Sequence, residues 1–267
     1  MSIIKVRASS WGSLFSCAYA WEGVHLLGMR SPSSPRALLG TAVHAGTAAF
    51  DAARVLGEPI STFDAAEAVI DTLRHPREDV SWRGSDLSQN DAERISLALH
   101  TEYCNVWSPK YEFKAVELTT TPLVIDCGGG TLVELTGTLD RSRIIASTGL
   151  DRIGDVKTGR AAVSQGVAKT GPHKAQIGTY RLLYEHTTGL ETDDVSEVIG
   201  MKTGGKPEIA TGTLTGAKQL MTGTDEYPGL IEIGAQMFRT GLFPPNPQAF
   251  TCSARYCPRW NKCPYHQ

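Results

Sequence analysis

The chain has 267 residues, of which 41% are hydrophobic, and a formal net charge of −2. This length supports one sizeable core and leaves little room for two full domains. The charge excludes a uniformly basic protein that coats DNA, but it allows an enzyme that contacts a few phosphates through a local patch. No apolar run reaches the roughly 18 residues that cross a bilayer, and no secretory signal is recognisable. We therefore expect a cytoplasmic protein with no membrane partner, whose six cysteines are ligands or core residues rather than disulfides.

The first 110 residues carry apolar and small side chains at helical spacing. The predicted helices cover residues 7–30, 37–57, 62–74 and 90–107. The second of them is rich in alanine, a strong helix former, and closes at a glycine, a common residue at helix ends. We therefore expect the sheet to begin only after these helices.

The composition changes at about residue 111, where β-branched residues become frequent. The pattern predicts one or two strands within 110–125 and further strands at 131–141 and 151–159, joined as an antiparallel meander. The later elements are, in order, a helix at 173–189, a hairpin turning at Gly204 and Gly205, a helix over 214–240 interrupted near Tyr227 to Gly229, and a proline- and cysteine-rich tail. This order predicts a single α/β domain.

The strongest local signal is Asp140 followed by Asp155-Val156-Lys157. Alternate side chains of a strand share a face, so Asp155 and Lys157 point the same way, and Asp140 can lie beside them on a neighbouring strand. Two carboxylates suit Mg²⁺ or Mn²⁺. A lysine nearby can position or deprotonate an attacking water and stabilise charge on a phosphate. On this motif alone, a solvated Asp–Lys pair on a surface hairpin is the commoner explanation.

Polar residues on two of the predicted helices could join this centre. His44 lies in GTAVHAG, whose small residues allow another element to approach closely and could bring the imidazole to a metal in the sheet. Gln176 and Tyr180 are four residues apart and share a helix face, from which they can bind phosphate or orient a lysine. His173 and Lys174 open the same helix and could add phosphate contacts. Taken alone, each of these residues is more simply a packed or surface side chain.

Half of the cysteines lie close together near the C-terminus: Cys252, Cys257 and Cys263. Their spacing, in a segment with prolines and aromatic residues, resembles a metal-binding knuckle. Three thiolates need a fourth ligand, for which Cys17 is the best candidate and His266 the second. Four cysteines suit zinc and an iron–sulfur cluster equally well, whereas the remaining two fit ordinary core or strand positions.

The order of these residues along the chain carries a family resemblance. The chain reads Cys17, His44, Asp140 within GTLDR, Asp155 and Lys157 within DVKTG, Gln176-x-x-x-Tyr180, and then the three clustered cysteines. This order resembles the RecB-type branch of the PD-(D/E)XK nucleases, in particular the iron–sulfur exonucleases that are associated with CRISPR adaptation and with phage genomes. The resemblance extends from about residue 9 to residue 265.

The resemblance implies a restriction-endonuclease-like fold, in which a mixed central sheet is flanked by helices and a cysteine-ligated cluster joins the N- and C-terminal segments. It implies one nuclease domain over 1–267, with N-terminal helices at 7–60, a catalytic core at 111–210 and a cluster segment at 241–267. It also implies roles for individual residues. The metal ligands would be His44, Asp140, Asp155 and the carbonyl of Val156, Lys157 would be the catalytic lysine, Gln176 and Tyr180 would support catalysis, and Cys17, Cys252, Cys257 and Cys263 would hold a [4Fe–4S] cluster.

The predicted function is therefore hydrolysis of DNA phosphodiester bonds, by an exonuclease that uses Mg²⁺ or Mn²⁺ and acts on single strands or free ends. The expected setting is the cytoplasm of a bacterium, an archaeon or a phage-infected host, with a homo-oligomer or with recombination or CRISPR-adaptation proteins as further partners. The loop at 161–174 is expected to border the DNA, with contacts from Lys169, His173 and Lys174. Two alternatives stay open: a catalytically silent DNA-end-binding or assembly module of the same fold, and a zinc-stabilised interaction protein.

Overall fold

A five-stranded mixed sheet lies at the centre of the protein, which a computed structural model describes from residue 2 to residue 266. In chain order the strands are β1 (Ser2–Arg7), β2 (Ala115–Thr119), β3 (Leu123–Asp126), β4 (Thr131–Thr136), β5 (Thr138–Ile144), β6 (Asp151–Gly159), β7 (Val163–Ser164), β8 (Val167–Ala168), β9 (Ser196–Lys202) and β10 (Glu208–Leu214). The central sheet has the order β10-β9-β6-β5-β2, a second sheet has the order β1-β4-β3, and β7 pairs with β8.

The helices lie before, between and after these strands. They are α1 (Trp11–Ser16), α2 (Ala18–His25), α3 (Pro35–Leu56), α4 (Thr62–Arg74), α5 (Gln89–Glu102), α6 (Lys174–Thr188), α7 (Ala217–Thr222) and α8 (Leu230–Thr240). The long helix α3 begins at a Ser34 side chain that accepts a hydrogen bond from the backbone, and it ends at Gly57 with a positive φ of 70°. No helix among the described residues is long and apolar enough to cross a membrane.

Strand directions and helix packing confirm the predicted mixed sheet flanked by helices. β6 runs parallel to β9, and the other neighbouring pairs in this sheet are antiparallel. A parallel pair needs a crossover connection, which α6 supplies. Along β6, Ile153 packs with Tyr180 and Tyr184 of α6, whereas Val156 packs in the cluster that contains Val43 of α3. The central sheet is therefore covered by α6 on one face and by α3 on the other.

The N-terminal segment differs from the helix predicted over residues 7–30. Residues Ser2–Arg7 form β1, which pairs in parallel with β4, and the helical part begins only after it. The helix is also broken at Cys17, whose backbone is extended with φ −156° and ψ 98°. Ile4-Lys5-Val6-Arg7 alternates apolar and polar residues as a strand does, but the alternation is short and its partner strand lies far along the chain. So short a local pattern does not identify β1.

The strand predicted over 131–141 is two strands that belong to different sheets. β4 lies in the second sheet and β5 in the central one, and the chain changes sheets at Gly137. A Cβ at Gly137 would lie 2.9 Å from Cε1 of Tyr180, so this glycine lets α6 approach the bend. The predicted meander is thus wrong for β4, although β2, β5 and β6 are neighbours in antiparallel pairing.

The contact between α6 and α7 gives the first testable prediction. A Cβ at Gly178 would lie 2.1 Å from the carbonyl oxygen of Ala217. We expect Gly178→Ala to lower the free energy of unfolding by about 1–3 kcal/mol, because overpacking outweighs the gain in helix propensity. Urea denaturation followed by circular dichroism measures this change. Gly171→Ala is the matched control, since no atom lies within 4 Å of its Cβ position. Equal stability of the two variants would contradict the close packing.

Candidate active site

Two buried carboxylates lie side by side on neighbouring strands of the central sheet. Asp140 is on β5 and Asp155 is on β6, and both are almost fully buried. One oxygen of Asp140, Oδ2, accepts a hydrogen bond from the backbone N–H of Val156 at 2.9 Å. The structure therefore brings together the two acids that the sequence placed on adjacent strands.

His44 reaches the same carboxylate from α3. Its Nε2 lies 2.7 Å from Oδ2 of Asp140. The helix can approach β6 because a Cβ at Gly40 would lie 2.4 Å from Oγ1 of Thr158, which leaves room only for glycine. Burial alone would lower the pKa of His44, but Asp140 and then Glu117 raise it overall. The small-residue pattern thus correctly indicated a close approach of this helix to the sheet.

Glu117 on β2 belongs to the site, although no motif in the sequence singles it out. Its Oε1 lies 3.3 Å from Nδ1 of His44, and ligand atoms of His44, Glu117 and Asp140 lie within 4.8 Å of one another. The backbone of Glu117 has a φ of 50°, which is rare for a residue with a side chain. In the sequence, Glu117 is one polar residue in a β-branched run, and only the strand pairing places it near Asp140.

Lys157 lies on the same face of β6 as Asp155, as its spacing predicted. Its Nζ donates a hydrogen bond to Oδ1 of Asp155 at 2.7 Å and lies equally near Oδ2. Burial, aided by the charge of Asp140, raises the pKa of Asp155 to about 7. Burial opposes the charge on Lys157, but Asp155 and Asp140 raise the pKa of its ammonium group overall. Lys157 is therefore charged at neutral pH. Its ammonium group contacts Asp155, which is buried next to Asp140.

The donor set fits a divalent cation. Oδ2 of Asp155 is buried and accepts no well-directed hydrogen bond, so a buried lone pair is left for a further positive partner. The site offers carboxylate oxygens from Asp140, Asp155 and Glu117 and an imidazole nitrogen from His44, which are ligands suited to Mg²⁺ or Mn²⁺. A divalent cation would offset the repulsion between adjacent carboxylates.

Gln176 and Tyr180 lie on α6, on the face of the central sheet that this helix covers, near the two carboxylates. Nε2 of Gln176 donates a hydrogen bond to the Tyr180 hydroxyl at 2.9 Å, so the two residues share a helix face as their spacing indicated. Burial, and then the charges of Asp140 and Asp155, raise the pKa of Tyr180 well above its usual value. The phenol therefore keeps its proton close to the two acids.

The site opens into a cavity of about 900 Å³ between α3, β2, β6 and the segment that follows α4. His44, Glu117 and Lys157 line it together with two arginines, Arg7 and Arg77. The loop residues Lys169 and Lys174 are not among the side chains that line this cavity in the described part of the chain. Lys174 instead lies near Gly216 and Gln219, at a separate surface depression.

Four cysteines surround a second, smaller cavity. Cys17 joins Cys252, Cys257 and Cys263 there, and His266 lies at the same cavity. Burial raises the pKa of Cys257, and the other three sulfurs raise it further. The extended backbone at Cys17 interrupts the helix at this point, and Asn246 of the tail donates hydrogen bonds to the Cys17 sulfur at 3.4 Å and to the carbonyl of Ser16 at 2.9 Å. The tail is thus attached to the start of α2.

The carboxylate pair, lysine and imidazole on a mixed sheet define the kind of centre in which nucleases bind a divalent metal. The family model of the PD-(D/E)XK nuclease superfamily matches residues 8–264, so the chain belongs to that superfamily. A crystal structure of a provisionally assigned exonuclease from Eubacterium rectale is similar, with a TM-score of 0.48 and 12% identity over 92% of this chain and 86% of that one. No curated protein matches the chain.

The half-buried His173, just before α6, gives a prediction on pH. Burial, and then the Lys157 ammonium, lower the pKa of His173 from 6.5 to about 4. Between these values the unfolded chain binds a proton that the folded chain excludes, so His173 reduces stability as the pH falls through this window. We expect His173→Gln to lose less stability than the wild type between about pH 7 and about pH 4. Urea denaturation in EDTA at several pH values measures the difference, and parallel curves for the two proteins would show that His173 titrates normally.

Proposed function

We propose that this protein is a DNA exonuclease of the RecB type that hydrolyses phosphodiester bonds with Mg²⁺ or Mn²⁺. The observation that carries the proposal is the contact of Lys157 with Asp155 beside the Asp140–His44 pair, in a cavity open to a substrate. Superfamily membership supports nuclease activity. The choice of DNA, of these metals and of free ends rests on the chemistry of the site and on the order of its residues.

The metal ligands in this proposal are His44, Asp140, Asp155 and the carbonyl oxygen of Val156, with Glu117 as a further donor. A divalent ion bound there would stabilise charge on the phosphate and make water more acidic. Lys157 keeps its proton at neutral pH because the adjacent carboxylates raise its pKa. Its ammonium group can therefore hold the attacking water or a phosphate oxygen by a charged hydrogen bond as negative charge develops in the transition state.

Gln176 and Tyr180 would act as a hydrogen-bonded unit beside the lysine. Because Tyr180 accepts from Gln176 and keeps its own proton, its O–H remains free to donate toward the carboxylates or a phosphate oxygen. Gln176 would thereby set the direction in which this proton points. Both residues support the geometry of the site rather than receiving the proton of the water.

The walls of the cavity favour a flexible DNA strand or a free end over an intact duplex. Residues before α3 pair with the segment after α4 through backbone hydrogen bonds between Ser33 and the stretch Asp79–Ser81. This connection closes one side of the cavity. Arg7 and Arg77 line the cavity and would contact phosphates inside it. Lys169 and Lys174 would contact the strand outside this cavity, whereas His173 lies close enough to Lys157 for that charge to help lower its pKa, so it would be uncharged at neutral pH.

We further propose that Cys17, Cys252, Cys257 and Cys263 hold a [4Fe–4S] cluster with a structural role. The four cysteines line one cavity. Four thiolates suit zinc and an iron–sulfur cluster alike, and the order of the cysteines along the chain is the ground for proposing the cluster. Such a cluster would fix the C-terminal tail to the N-terminal helices and so add folding energy.

Cleavage of end-labelled DNA tests the nuclease proposal. With Mn²⁺, the wild type should degrade single- or double-stranded DNA from an end, and Asp155→Ala and Lys157→Ala should each reduce the rate by at least about 100-fold. Asp225→Ala and Lys206→Ala are matched controls, because both residues are exposed outside the site. Folded wild type that binds DNA without cleaving it would support the catalytically silent module instead.

Anaerobic purification tests the cluster. The wild type should be brown and contain iron and acid-labile sulfide, and Cys257→Ser should lose both and melt at least about 5 °C lower. Cys127→Ser is the control, since Cys127 is also half-buried but does not line the four-cysteine cavity. Stoichiometric zinc in colourless protein would favour the zinc-stabilised alternative, with His266 as a further ligand to test.

A further inference from the structure

A fully buried guanidinium lies directly behind the catalytic carboxylates. Arg141 follows Asp140 on β5, and its side chain has no exposed surface. Its Nε donates a hydrogen bond to Oδ2 of Asp51 at 2.8 Å, and Asp51 is equally buried. A buried ion pair is costly to desolvate, and it contributes little net stability compared with apolar packing. Its position therefore calls for an explanation beyond stability.

The acid of this pair is fixed from several sides. Besides Arg141, Asp51 accepts hydrogen bonds from the Tyr103 hydroxyl at 2.6 Å and from the Ser108 hydroxyl at 2.5 Å. Asp51 lies on α3, seven residues after His44, so the two side chains project from the same face of the helix two turns apart. Helix α3 thus carries both His44, which belongs to the site, and Asp51, which binds the Arg141 guanidinium.

The other end of Arg141 contacts the active site. Nη1 donates to the carbonyl oxygen of Asp140 at 2.8 Å and to Oε1 of Glu117 at 3.3 Å. Oε1 of Glu117 therefore lies between the Arg141 guanidinium and the His44 imidazole. Glu117 adopts a left-handed backbone conformation, which is strained for a residue with a side chain and persists only where surrounding contacts hold it. Consistent with this distortion, the β2–β5 register pairs Val116 and Leu118 but not the glutamate between them.

We propose that Arg141, anchored on Asp51, is a positioning residue that holds Glu117 in its strained conformation so that its carboxylate serves the metal centre. This inference rests on the proposed function. The geometry requires the fork of an arginine, because Nε binds the anchor while Nη1 binds both the Asp140 carbonyl and Glu117. A lysine keeps the charge but has a single donor atom, so it cannot make these contacts together.

A double-mutant cycle on Mn²⁺ affinity tests this role without measuring catalysis. The dissociation constant is determined by electron paramagnetic resonance of free Mn²⁺ for the full chain, with Arg141→Lys, Glu117→Gln and the double variant. We expect each single change to weaken Mn²⁺ binding by about 10-fold, as typical for residues that orient metal ligands. The double variant should bind no more weakly than Glu117→Gln, because Arg141 acts through Glu117. Multiplied effects of the two changes, or unchanged affinity in either single variant, would overturn the proposal.

The controls separate a positioning role from general stability. Arg143 lies two residues farther along β5 and pairs with Glu197 at 3.4 Å, away from the metal group. Arg143→Lys should therefore lower the melting temperature without changing Mn²⁺ affinity, and an equal loss of affinity would overturn the specific role of Arg141. If Arg141→Lys does not fold, Asp51→Asn replaces it in the same cycle with the same expected pattern. Wild type that binds no Mn²⁺ would instead overturn the proposed metal centre, and this inference with it.

Discussion

The repulsion between two buried carboxylates is the constraint on which the rest of the site depends. The pairing of β5 with β6 places Asp140 and Asp155 side by side where little water can reach them. Like charges in such a place cannot both ionise unless positive groups compensate. The effect is visible in the pKa of Asp155, which burial and the neighbouring Asp140 charge raise to about 7. Lys157 reaches the pair from β6 itself, and His44 and Glu117 reach it from α3 and β2.

Each of the two acids has its own compensating side chain. Lys157 contacts Asp155 from the same strand, whereas His44 contacts Asp140 from α3. Despite burial, the His44 imidazole, and then the charges of Lys157 and Arg141, hold the pKa of Asp140 below its usual range. Asp140 is thus held as an anion, whereas Asp155 is paired with the Lys157 ammonium group. A divalent cation bound beside Asp155, as proposed, would add to this compensation.

The sequence predicted the parts of this site that depend on local spacing. The alternation in DVKTG put Asp155 and Lys157 on one face, and the small residues around His44 indicated a helix that approaches the sheet closely. It could not predict Glu117 or the division of 131–141 into two strands, because both depend on which distant strands pair. It also missed Arg141, since an arginine after an acid gives no sign of burial. Long-range pairing and buried charge networks have no local signature.

The four-cysteine cavity and the carboxylate centre are separate sites, but one set of elements connects them. Cys17 separates α1 from α2, and the tail is hydrogen-bonded to this break through Asn246. A Cβ at Gly12 of α1 would lie 3.8 Å from the carbonyl oxygen of Pro172, just before α6. Helix α6 carries Tyr180 beneath the carboxylates. A group that holds the cysteines together would therefore influence the active site by fixing the position of α1 and α6, and it needs no contact with the substrate to do so.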